Sequence, residues 1–349
     1  MVADVHTLRS RPVAEPVTTP PQPARSVYLD AYLAPLRPWL ERETVTEILV
    51  NRPGEVWIED AEAGRMQCVS VPAMDNQLLQ RLAEQVARIS HQGINREHPL
   101  LSATLPALAG AENRNGAGAR IQLVGPPATR ANWAMAIRRH RLLELPLDAY
   151  DRGPITIAPE AAAPDPLVTP IAFLRDAIQR RRTILISGGT STGKTTFLNA
   201  MLTEIPEHER VVLVEDTAEL RLPGANGVGL IAVKGELGEA KVSANDLLQA
   251  ALRLRPDRIV LGELRGTETV SFLRAINTGH PGSFSTVHAN SPRGALEQIA
   301  LMSMQSGIGL TRSETLEYAA SVIDIVVQLD RHDGKRGIAL IAESRSLVG

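Results

Sequence analysis

A single cysteine, Cys68, in 349 residues excludes an intrachain disulfide and any cysteine-based zinc module, as expected in a reducing cytoplasm. Its expected state is a small, half-buried apolar residue. No apolar stretch approaches the roughly 20 residues needed to span a bilayer, and the opening MVADVHTLRSRP lacks the apolar core of a signal peptide. Any membrane association is therefore expected to be peripheral. Charge of one sign is scarce too: a formal net charge of −2 argues against a chain that coats nucleic acid non-specifically. Hydrophobic residues at 44% and charged ones at 22% are globular values, and the length suits two domains with separate cores.

Proline is not scarce, and its distribution divides the chain. Pro12, Pro16, Pro20, Pro21 and Pro23 stand among Thr, Ala and Arg, so residues 1–25 are expected to form a disordered tail. From Tyr28 an amphipathic segment runs to about Leu40, followed by strand-like pieces at Glu47 to Asn51 and Glu55 to Glu59 around the turn Arg52-Pro53-Gly54. Asp75 can cap a helix with Leu78, Leu79, Leu82, Val86 and Ile89 on one face, and Gly93 suits its end. Alternation near Ala119 to Val124 and Trp133 to Ile137 predicts two strands joined through Pro126 and Pro127. These pieces make an α+β domain at 26–145. Five prolines in 146–168 then read as a semi-rigid linker, across which the domains can shift.

Residues 169–349 alternate differently. A helix near Pro170 to Arg180 precedes strands expected at 183–187, 211–215, 258–262 and 283–288, separated by helical or loop segments. That order implies a mainly parallel sheet covered on both faces. Ser243-x-x-Asp246 opens a helix as a capping box, stopped by Pro256. At the end, Ile323 to Leu329 and Gly337 to Ile341 flank Asp333-Gly334, which predicts a hairpin with a slightly long loop.

Within this half, residues 188–196 read GGTSTGKTT, between the apolar run Thr183 to Ser187 and a stretch, Phe197 to Leu202, able to continue as a helix. The spacing Gly188-x-x-x-x-Gly193-Lys194-Thr195 is that of a phosphate-binding loop. Backbone N–H groups of Gly188, Gly189, Thr190, Ser191, Thr192, Gly193 and Thr196 can wrap the phosphates of ATP. Lys194 reaches the β and γ phosphates, and the Thr195 hydroxyl is placed for Mg²⁺. The following helix points its positive end at the same anion.

Hydrolysis further needs a group that orients water and one that stabilises charge on the γ-phosphate. Val211 to Val214 ends in Glu215-Asp216, and Arg258 to Gly262 ends in Glu263, both at carboxyl ends of strands, where open α/β sheets bind ligands. Glu263 takes the place of a Walker-B acid, although the usual Asp is missing. Gly279 to Ser283 leads into Phe284-Ser285-Thr286-Val287-His288. Acids at strand ends also cap following helices, and His288 could equally be a core histidine. His280 and His288 lack the cysteine partners and spacing of a zinc site. The clusters Arg138-Arg139-His140-Arg141 and Arg180-Arg181-Arg182 are solvated faces by default.

Taken in order, SGGTSTGKTTFLNA, VVLVEDTAEL, LRLRPDRIVLGELRG, FLRAINTGHPGSFSTVHANSP and the final VVQL strand resemble the secretion traffic ATPases, in particular the VirB-type ATPase of type IV secretion. TEILVNRPGEVWIED, ARIQLV and AMAIRRH extend the resemblance to about residue 26. It implies a RecA-like domain at 169–349, a homo-hexameric ring and ATP held between the two domains of a subunit. By position, Lys194 and Thr195 keep their phosphate and Mg²⁺ roles, Glu215 organises metal and water, and Glu263 is the catalytic carboxylate. His288 falls in the family's histidine box, contacting the γ-phosphate or coupling nucleotide state to its neighbours. Arg120 and Arg138 match N-domain arginines that reach over to the phosphates, with Arg139 a substitute for Arg138. AIRRHR departs from the family pattern, in which Ile-Arg precedes a Lys-Pro-type turn. The implied partners are other secretion components at the inner membrane and a secreted protein or DNA–protein substrate.

Three other readings stay open on sequence. A pilus-assembly or type II secretion motor of the same superfamily would usually carry a four-cysteine zinc module, which this chain lacks; the tight adherence pilus branch would not. A nucleotide-gated scaffold need not keep hydrolytic groups, and Lys194, Glu215 and Glu263 are all present. A DNA-handling RecA-like enzyme would bind DNA with strong salt dependence.

Overall fold

The computed structural model describes residues 27–106, 119–139, 162–233, 240–307 and 309–348. The expected tail and most of the expected linker lie outside them. The first half holds α1 (Val27–Leu33), a 3-10 turn, α2 (Arg37–Leu40), β1 (Val45–Arg52), β2 (Glu55–Asp60), β3 (Gln67–Ser70), α3 (Asn76–Ile89), β4 (Leu100–Leu105), β5 (Ala119–Val124) and β6 (Ala134–Arg139). Its strands form one antiparallel sheet in the order β3-β2-β1-β6-β5-β4. Gly54, at φ 80°, makes the tight β1–β2 turn.

Alternation along β1 explains how this sheet is covered. Ile48 and Val50 point to one face, where they join Leu79, Leu82 and Val86 of α3 and Leu29 and Leu33 of α1 in one core. Leu49 points to the other, packing with Val124, Ala134 and Ala136 into a core shared with Val228 and Leu230 of the second half. Complete burial of a leucine of this kind contributes roughly 2 kcal/mol. Asp75 caps α3 as expected, accepting from Leu78 N at 2.7 Å. The left-handed residue after the helix is His91, at φ 53°, and not Gly93. Cys68 stands exposed on the edge strand β3, not half-buried.

The second half comprises α4 (Pro170–Gln179), β7 (Ile184–Gly188), α5 (Lys194–Leu202), β8 (Val211–Glu215), β9 (Gly227–Ile231), α6 (Ala244–Ala251), β10 (Arg258–Leu261), α7 (Glu268–Asn277), β11 (Phe284–Val287), α8 (Pro292–Gln305), α9 (Arg312–Val322), β12 (Ile325–His332) and β13 (Lys335–Glu343). Its sheet runs β13-β12-β7-β11-β10-β8-β9, parallel throughout except for the β12–β13 hairpin. The Ile/Val/Leu runs of β7, β8 and β10, and Phe284-Ser285-Thr286-Val287 of β11, are buried on both faces, as a helix-covered parallel sheet requires. The capping box at Ser243 and Asp246 forms, although α6 ends at Ala251. The final hairpin turns in two residues, Asp333 at φ 48° and Gly334 at φ 79°, so the strands run longer and the loop shorter than the sequence suggests. The molecule is thus mixed α/β, and among the described residues no helix is long and apolar enough to cross a membrane.

Candidate active site

Parallel register decides where the functional side chains meet. β7, β11, β10 and β8 lie side by side, with Val287 beside Ser187, Leu261 beside Ser285 and Leu261 beside Val214. Their carboxyl ends therefore form one edge, from which Gly188, His288, Glu263 and Glu215 follow. A cleft of about 1030 Å³ opens along it, lined by Thr190, Ser191, Gly193, Lys194, Thr195 and Thr196 of the loop together with Glu215, Glu263 and His288. Gly188, Gly189 and Thr192 of the loop are not among the residues that line the cleft.

The loop's geometry depends on its glycines. A Cβ on Gly188 would stand 2.4 Å from Thr192 Oγ1, whose hydroxyl donates to Gly189 O at 3.0 Å. Ser191 at φ 63° and Gly193 at φ 91° bend the backbone into a concave turn, the kind of nest that gathers N–H groups around an anion. α5 starts immediately afterwards, adding the positive end of its dipole.

Lys194 Nζ donates to the carbonyls of Gly188 at 2.9 Å and Gly189 at 3.0 Å, and lies 3.3 Å from His288 Nδ1. An ammonium has only donors, so that contact requires Nδ1 unprotonated and leaves the ring proton on Nε2. Burial holds the Lys194 pKa below its ordinary value, against the attraction of Glu263. His288 Nε2 stands 2.8 Å from Glu263 Oε1, so the protonated nitrogen of the neutral ring faces the carboxylate, out of line for a hydrogen bond. With its side chain about half exposed, His288 is a residue of the cleft and not of the core. The guanidinium of Arg265 grips the other oxygen of Glu263 and approaches Asp216 at 3.5 Å.

Glu215 is buried, and both its oxygens are engaged. Oε1 accepts from Glu219 N at 3.1 Å and Leu220 N at 2.7 Å, while Oε2 accepts from Arg130 at 2.7 Å. Arg130 comes from the β5–β6 loop of the first half. Neither Arg120 nor Arg138 lines the cleft: Arg120 is exposed on β5, beside Arg138 on β6, which pairs with Glu47 at 3.6 Å. Arg139 donates to Val45 O at 3.1 Å. Arg180, Arg181 and Arg182 pair with Asp176, Glu209 and Asp324. His280 lies 3.0 Å from Pro256 O, and burial lowers its pKa.

Sequence reasoning missed Arg130, Arg265 and Arg336. Arg265 stands two residues after Glu263 and was open to detection; Arg130 sits in an aperiodic loop, and Arg336 reaches the phosphate loop only through hairpin pairing. Among the described residues no three His, Cys, Asp or Glu side chains cluster closely enough to hold a metal ion. The oxygens at the cleft, the Thr195 hydroxyl and the carboxylates of Glu263 and Glu215, are hard donors, those of Glu215 being already engaged by hydrogen bonds. That set fits Mg²⁺, which is bound through one or two protein oxygens plus phosphates instead of an all-protein cage.

A nucleotide-binding loop and strand-end carboxylates in a mixed α/β frame define an ATPase, and comparison with known proteins gives the particular kind. Residues 169–336 match a family described as type II/IV secretion system protein. The type IV secretion system protein PtlH homolog of Bordetella bronchiseptica is 40% identical over 90% of this chain and 93% of its own length. The VirB11 protein of Bartonella henselae is 36% identical over 87% of this chain and 89% of its own. The crystal structure of the VirB11 ATPase from the Brucella suis type IV secretion system, in complex with sulphate, superposes with a TM-score of 0.79. It is 33% identical and covers 92% of this chain and 96% of that one. This chain belongs to the VirB11 family of type IV secretion ATPases.

Proposed function

We propose that the protein is a hexameric, Mg²⁺-dependent ATPase that powers substrate transfer and pilus assembly by a bacterial type IV secretion system. A RecA-like domain at 169–349 and an α+β domain at 26–145 open and close about the linker at 146–168 as ATP turns over between them. The protein works in the cytoplasm, peripherally at the inner membrane beside other secretion components, on a secreted protein or DNA–protein substrate. One observation carries this reading: Lys194, Glu215, Glu263 and His288 converge on one cleft beside the phosphate loop. The sulphate complex of the Brucella suis relative adds support, since sulphate and phosphate are alike in charge and shape.

In this reading the loop N–H groups hold the β-phosphate, and Lys194 turns from the carbonyls of its own loop to the β and γ phosphates. Thr195 and Glu215 would hold Mg²⁺, which neutralises charge developing on the phosphate oxygens. Glu263 orients the attacking water and takes up its proton, while His288, lying between Lys194 and Glu263, senses whether the γ-phosphate is present. Arg120 and Arg138 complete the site when the domains close over the nucleotide; the γ-phosphate is then a ligand shared by both, and its loss releases them.

ATP turnover and particle mass measured on one purified sample test this. Wild type should hydrolyse ATP as a six-subunit particle, and Glu263→Gln should bind ATP with turnover at least about a hundredfold lower, because shape remains while water activation is lost. Unchanged turnover in Glu263→Gln would remove the assignment of the catalytic carboxylate.

A further inference from the structure

Arg130 crosses from one half of the molecule to an acidic residue of the active site, and three features hold it there. Its guanidinium donates to Glu215 Oε2 at 2.7 Å and to Leu220 O at 2.6 Å. Its path lies over Gly229 of β9, where a Cβ would stand 2.6 Å from Arg130 Nε, so only glycine leaves room. The loop is also bonded to the same edge strand: Ile231 N donates to Ala128 O at 2.9 Å, and Thr129 bridges Leu230.

Both oxygens of Glu215 therefore already accept hydrogen bonds. Oε1 is held by two backbone N–H groups and Oε2 by Arg130, whose positive charge also opposes a cation nearby. We propose that Arg130 is a positioning residue for the ATPase site: the docked β5–β6 loop masks Glu215 Oε2, and lifting that loop from β9 is what frees the carboxylate for metal and water. This deepens the reading above and rests on its assignment of Glu215. It sets docking of the first half on β9 in competition with a cation for one oxygen atom of Glu215.

Two substitutions at different positions should produce the same effect. Arg130→Ala removes the guanidinium. Gly229→Ala leaves every charge in place and displaces Arg130 sterically, at a strand position whose backbone tolerates alanine. The probe is Mn²⁺ titrated into the full-length protein with ADP and followed by electron paramagnetic resonance. Hydrogen exchange at the Ile231 amide is measured in parallel. Both variants should bind Mn²⁺ roughly threefold or more tightly than wild type, because a competing positive charge has been withdrawn, and both should exchange the Ile231 amide faster. Arg130→Lys, which keeps the charge but not the fork, should fall between. Mn²⁺ affinity that is unchanged or weaker in both folded variants would overturn the proposal. Glu215→Gln separates the two levels: wild-type turnover in that variant would sink the assignment of Glu215 itself, whatever Arg130 does.

Discussion

Glu47 on β1 is almost fully buried, with Arg138 as its ion-pair partner and Glu59, Arg255 and Arg210 as further charged neighbours. Burial pushes its pKa from an ordinary 4.5 up to about 7, against the pull of Arg138. An acid whose pKa is raised on folding binds more protons folded than unfolded between those two values, so stability falls as pH rises through that window. The cost is complete above pH 7. Glu47→Gln removes the titration, and should therefore stabilise the protein at pH 8 by up to about 3 kcal/mol while changing little near pH 4. Urea unfolding of both proteins across that range checks this; a parallel pair of curves would refute it. Arg258 shows the opposite arrangement, completely buried yet matched by Glu209 and the carbonyls of Ile178 and Gly282.

At the scale of elements, α3 depends on its first turn. Asp75 is the N-cap, and its carboxylate satisfies an N–H that would otherwise lack a partner at the start of a helix buried against β1 and β5. Asp75→Ala should cost about 1 kcal/mol, read as a lower urea midpoint with an unchanged slope. Sequence reasoning did not find β3, β4 or β9, and β3 and β9 have a shared explanation. Gln67–Ser70 carries polar residues on an edge, and Gly227–Ile231 contains two glycines, so neither shows the periodicity that marks a strand. Their pairing partners make them strands: β3 adds to β2, and β9 adds to β8.

Across the whole molecule the halves meet through polar side chains as well as the shared core. Arg255 reaches Glu59 of β2 while also holding Asp257 at 2.7 Å, and Arg210 donates to Asn226 at 2.7 Å and to Asn51 of β1. These contacts fasten β1 and β2 to the parallel sheet close to β9, over which the Arg130 side chain runs. Glu59→Ala should loosen that attachment, costing roughly 1 kcal/mol for a partly exposed pair. Faster hydrogen exchange in β2 with little change in the core strands β10 and β11 would be the matching signature; uniform exchange would show that the halves are fastened elsewhere.

Sequence by itself determined the phosphate loop, the strand-end positions of Glu215 and Glu263, the histidine after β11, the caps at Asp75 and Ser243, and the strands β7, β8, β10 and β11. Each of these depends on neighbours within a few residues: a glycine spacing, a capping side chain, an apolar run of strand length. Tertiary structure alone decided which of those strand ends stand side by side, because parallel pairing joins segments that local periodicity cannot connect. It decided the partners as well. Nothing near Glu215 in the chain shows that Arg130, 85 residues earlier, takes its second oxygen. Nor does anything around Arg120 and Arg138 show that both lie away from the cleft. Charges choose partners by distance in space, and that distance is set only once both sheets have packed.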